Sequence, residues 1–128
     1  MREKNMKVPI LKHGKHLIAT VQSALTDEDL IGLRENLSNQ VNQHRSKGVV
    51  IDITELDVMD SFSTRTLRGI ASILKLRGAD TVIVGMQPDV AFAMVQLGLA
   101  LPDIKTARDL EEGLLLLQKT GVNTSEKF

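Results

Sequence analysis

Between Asp52 and Thr66 the chain sets the aspartates Asp52, Asp57 and Asp60 just ahead of the hydroxyls of Ser61, Ser63, Thr64 and Thr66. Such a set could hold a metal, accept a phosphoryl group on an aspartate, or offer a hydroxyl for another protein to modify. A metal-assisted aspartyl acceptor needs an acidic pair after the first strand and a lysine after a late one. Here the first strand-like run ends in Lys12-His13, and no lysine closes the second half in the right place. Asp52 reads instead as a strand-end residue that binds backbone amides of the following loop. No general base or phosphate-cradling glycine loop accompanies Ser61. A small enzyme or a metal- or nucleotide-binding protein working through these carboxylates is therefore a remote alternative, and no cofactor is expected. The favoured chemistry is modification of a presented hydroxyl.

The remaining polar candidates carry less. His13 and His16 are three apart with no third ligand in view, and a hairpin is not expected to converge them on one point. They read as surface histidines near a turn. Gly85-Met86-Gln87-Pro88-Asp89 has no nucleotide-binding glycine spacing and reads as a turn with proline at the first position of a helix. With no cysteine, a disulfide framework, a thiolate zinc site and a cysteine nucleophile are excluded.

Elements must position Ser61, and the apolar pattern supplies them. Val8–Leu11 and Leu17–Val21, divided by Lys12-His13-Gly14-Lys15, predict an initial β-hairpin. Thr26, followed by three acidic residues, opens a helix bearing Leu30, Leu33, Leu37 and Val41, with Lys47-Gly48 as its stop. Val49–Ile53 lacks polar alternation, the pattern of a strand covered on both faces. After the acidic loop, Ser61 or Ser63 opens a second helix carrying Leu67, Ile70, Ala71 and Leu74, ended by Gly78. Thr81–Val84 is a buried strand, and a short helix follows Pro88 and stops near Gly98. Ile104–Thr106 reads as an edge strand. Thr106 or Arg108 starts a final helix with Leu110, Leu114 and Leu117, and the polar tail from Gly121 should fray.

Strands alternating with helices after a hairpin give an α/β fold, a mixed β-sheet with helices packed on it. The loops leaving parallel strands gather on one edge, so the Thr54–Ser61 and Gly85–Asp89 loops should be neighbours. Length fits a single domain over residues 1–128, with an ordered core of about 7–120. Sixteen basic and sixteen acidic residues cancel, which leaves no electrostatic footprint for nucleic acid or an anionic membrane. Three phenylalanines with no Trp or Tyr leave no stacking platform for single-stranded nucleic acid. No apolar run reaches membrane-span length and the N-terminus lacks a signal-peptide core, so a cytoplasmic protein is expected.

Ser61 has two readings: an ordinary helix cap, or a phosphoacceptor. A phosphate at a helix N-terminus gains up to about 1 kcal/mol, and Asp60 with Asp57 and Asp52 opposes it by like charge. Phosphorylation should then leave the fold intact and change what the surface binds, although Ser63 or Thr64 could be the target. Met59 and Phe62 flank the Asp60-Ser61 step; if exposed they form a partner-binding rim with Asp57, Asp60 and Ser63, and if buried they belong to the core.

The element order, with VVIDITELDVMDSF (Val49–Phe62) and GMQPDVAFAMVQLGLAL (Gly85–Leu101), resembles the STAS-domain family of anti-sigma-factor antagonists over roughly Lys7 to Gly121. Within it the segments are most similar to the stressosome antagonists, through KVPILK (Lys7–Lys12), Phe62 and the Gly85-x-Gln87-Pro88-x-Val90-Ala91 run. Many other antagonists carry D-S-S-G, whereas here Phe62-Ser63 follows Asp60-Ser61. The resemblance implies a protein that is not an enzyme and is phosphorylated on Ser61 by a serine kinase of the RsbT type. It implies that the unmodified form holds that kinase in a large assembly with RsbR-type co-antagonists, and that a phosphatase resets the switch. The alternative within the family is a direct anti-anti-sigma factor binding an anti-sigma kinase.

Overall fold

The computed structural model describes residues 8–22, 25–98, 101 and 104–126. Among them, five strands and four helices follow the order β1 (Ile10–His13), β2 (His16–Thr20), α1 (Asp27–His44), β3 (Gly48–Asp52), α2 (Ser61–Leu76), β4 (Asp80–Val84), α3 (Pro88–Gln96), β5 (Lys105–Ala107) and α4 (Leu110–Glu126). The sheet order is β1-β2-β3-β4-β5. β1 and β2 form the antiparallel hairpin, and every later pairing is parallel. The fold is the expected mixed sheet, with helices on both faces.

Alternation along the central strands sorts the core into two layers. Leu17, Ala19, Val49, Ile51 and Ile83 face α1, α2 and α3 and join Leu33, Leu37, Leu67, Leu74, Val90 and Met94. Ile18, Val50, Val82 and Val84 face the other way, toward Leu117 of α4. β3 is therefore buried on both sides, as its unbroken apolar run requires. α4 lies close because two glycines let it. A Cβ on Gly113 would stand 2.6 Å from Val84 Cγ1, and one on Gly48 would stand 2.9 Å from the Leu117 methyls.

Several boundaries differ from expectation. α1 opens as expected, in a capping box: Thr26 Oγ1 accepts from Asp29 N–H at 3.1 Å and Asp29 returns the bond to Thr26 N–H at 3.0 Å. It stops earlier than Lys47-Gly48. Arg45 turns into the left-handed region (φ 53°), so that its N–H and that of Ser46 both reach the Val41 carbonyl. Gly48 begins β3 instead, where its missing side chain admits Leu117. β5 starts one residue late, at Lys105. α4 is capped by Asp109, whose Oδ1 accepts from Glu112 N–H at 2.9 Å, and not by Thr106 or Arg108. Its backbone stays helical past Gly121 to Glu126, because extending an existing helix is cheap and one glycine costs only about 1 kcal/mol.

The histidines also differ. His13 and His16 are direct cross-strand partners in the hairpin register, on one face of it. His16 is half-buried, and that burial, with His13 beside it, pulls its pKa below the ordinary histidine value.

Candidate functional site

β3 delivers the chain to the sheet edge at Asp52. Its Oδ1 accepts from Thr54 N–H at 3.0 Å and from Thr54 Oγ1 at 2.6 Å, which turns the backbone out of the strand. This is the strand-end role expected of Asp52. The Thr54 carbonyl in turn accepts from Gln87 Nε2 at 2.8 Å, and Ile53 N–H reaches the Val84 carbonyl at 3.0 Å. The β3–α2 and β4–α3 loops are thus neighbours, as the parallel topology predicted. Gly85 (φ +79°) makes the approach possible, since a Cβ there would overlap Thr54 Oγ1.

The loop is anchored from below by Leu56 and Met59, 7% and 4% exposed, which insert into the core beneath α2. The exposed-rim option therefore fails for Met59, which joins Leu56 in the core cluster that includes Leu67 and Ile70. Val58, 71% exposed, takes the outward place and joins Phe62, 37% exposed, as the apolar surface beside Ser61. Asp57 and Asp60 are exposed, while Ser61 and Ser63 are half-buried. Thr64 is fully buried and its hydroxyl has no hydrogen-bond partner, so it is not within a partner's reach.

Asp60, rather than Ser61 or Ser63, caps α2. Its backbone is extended (φ −89°, ψ −176°) and its Oδ1 accepts from Ser63 N–H at 2.8 Å. That bond, followed by one from the Ser63 hydroxyl, holds the carboxyl below the usual range, so it stays ionised at neutral pH. Ser61 becomes the first residue of the helix proper, with Asp60 on its N-terminal side. Sequence reasoning missed Val58 and Gln87. Neither carries a local signal, because an irregular loop has no period that sorts inward from outward side chains.

Asp52 and Asp60 are each committed to local hydrogen bonds. Among the described residues no three His, Cys, Asp or Glu gather where they could hold a metal ion. No described helix is long and apolar enough to cross a membrane. The geometry offers a serine on a fixed ledge, flanked by carboxylates and a small apolar surface.

A model of the STAS domain matches residues 7–113. The chain belongs to the STAS-domain family. Among solved structures, a serine-to-glutamate variant of Moorella thermoacetica RsbS is 35% identical, with a TM-score of 0.79 over 90% of this chain and 97% of that one. A chain of the stressosome, described as a signal integration and transduction hub, is also 35% identical, with a TM-score of 0.76 over 88% of this chain and 98% of that one. The RsbT co-antagonist protein RsbRA of Bacillus subtilis is 34% identical over 82 residues, 64% of this chain. That match spans 30% of RsbRA, so it concerns one part of a longer protein. These relatives include an RsbT co-antagonist and a chain of a signalling assembly.

Proposed function

We propose that this STAS domain is a phosphorylation-switched stressosome antagonist with Ser61 as the phosphoacceptor. Unmodified, it sequesters a serine kinase of the RsbT type within an assembly that includes RsbR-type co-antagonists. The kinase transfers the γ-phosphoryl group of ATP to Ser61 Oγ, with loss of the hydroxyl proton and release of ADP. The phosphorylated surface then releases the kinase, and a phosphatase restores the hydroxyl by hydrolysis.

The observation that carries this reading is the setting of Ser61: first residue of α2, at the sheet edge, on a loop pinned by Asp52, Thr54 and Gln87. Likeness to RsbS along nearly its whole length supports the stressosome assignment over a direct anti-anti-sigma role. Asp57, Val58, Asp60, Phe62 and Ser63 surround Ser61 as the contact surface. Phosphate adds about −1.5 to −2 charges beside Asp57 and Asp60. Desolvating that charge against a partner costs a few kcal/mol, or about two to three orders of magnitude in affinity.

Peptide-level mass spectrometry after incubation with a cognate RsbT-type kinase and ATP tests the reading. One phosphate on Ser61 is expected; none, or phosphate confined to Ser63 or Thr66, rejects it. In kinase binding, Ser61→Ala should match wild type and Ser61→Asp should bind about 100-fold or more weakly.

A further inference from the structure

The first turn of any helix leaves N–H groups that draw anions, and a phosphate on Ser61 would stand beside those of α2. A phosphoryl group that folded back onto them would cap its own helix and lose part of its effect on a partner. The occupant of that position is already present. Asp60 Oδ1 accepts from Ser63 N–H at 2.8 Å, and the next N–H, that of Thr64, is taken by the Asp60 carbonyl at 3.0 Å. No other acidic residue stands in the first turn of α2. Asp57, although close in sequence, is exposed on the loop. Arg65, four residues beyond Ser61 and exposed, lies one turn further along the helix and not at its end.

We infer that Asp60 is a positioning residue of the switch: by holding the Ser63 N–H at the N-terminal end of α2 it keeps a phosphate on Ser61 from folding back onto that amide and leaves it turned outward, toward the partner. This rests on Ser61 as phosphoacceptor and adds how the modified state keeps its charge available. It assigns the aspartate a task beyond helix capping, which serine or asparagine also performs.

The test installs phosphoserine at position 61 of the full chain by genetic encoding, so its result does not depend on any kinase. Wild type, Asp60→Gly and Asp57→Gly are compared, glycine being a tolerated cap residue. The phosphate is titrated by phosphorus NMR and the Ser63 amide proton is followed alongside. In wild type the Ser63 amide should not move with the phosphate's second ionisation, near pH 6. In Asp60→Gly it should move downfield with that ionisation, and the phosphate pKa should fall by about half a unit or more. Asp57→Gly removes equal charge without vacating the helix end and should change the phosphate pKa much less. A Ser63 amide that follows the phosphate in wild type, or one phosphate pKa for all three proteins, overturns the inference. A kinase that leaves Ser61 unmodified counts separately, against the proposed function.

Discussion

At Gly85 one absent methyl group decides how near two loops can come. The residue needs both a positive φ and the space held by Thr54 Oγ1, whose proton already goes to Asp52. Gly85→Ala should destabilise the protein by about 1–3 kcal/mol in urea unfolding, through strain and overpacking together. If Ser61 is the phosphoacceptor proposed above, the variant should also slow phosphotransfer to it, because the ledge beneath that residue shifts. At this scale the sequence was informative wherever chemistry is local. The Asp52 turn and the place of the Asp60-Ser61 step at a strand-to-helix junction were both legible, since an acid followed by a hydroxyl after an apolar strand is a common helix opening. Which of the two caps the helix was not legible, because Asp, Ser and Thr all cap well. Nor was Gln87, whose partner lies thirty-three positions away and leaves no periodic trace.

The hairpin and the helices were read from apolar runs and their period together with cap, proline and glycine signals, and their existence was correct. Leu30, Leu33, Leu37 and Val41 all face the core, and β3 is covered on both sides. Errors fell at ends, where tertiary fit outweighs local preference. Arg45 accepts a left-handed conformation so that Gly48 remains free for the close approach of Leu117. The paired histidines show what register adds to spacing. Because His16 has its pKa lowered by burial first and by His13 second, the fold favours the neutral ring. The unfolded chain then takes up the proton first as pH falls below about 6.5, and stability drops until the folded ring protonates as well. Urea midpoints between pH 7.5 and pH 5 should therefore decline, and His16→Gln should flatten that decline. An equal slope in the variant would assign it to other groups.

Across the whole molecule, one sheet separates a large layer under α1, α2 and α3 from a smaller one under α4. Alternating strands and helices predicted the class, but no residue announced which helix stands alone. That choice rests on fit, on Gly48 and Gly113 meeting Leu117 and Val84. Gly113→Val should cost about 1–3 kcal/mol, since branched bulk there lifts α4 off the sheet, and calorimetry should show a lowered Tm. The loop bearing Ser61 has a dependence of another kind. It is fastened by Val84 and Gln87, residues made after it. At about 5–20 residues per second, the ribosome leaves that stretch without its fastenings for a second or more. The loop bearing Ser61 therefore reaches its final setting only after Val84 and Gln87 have been made, so its local order depends on chain that follows it.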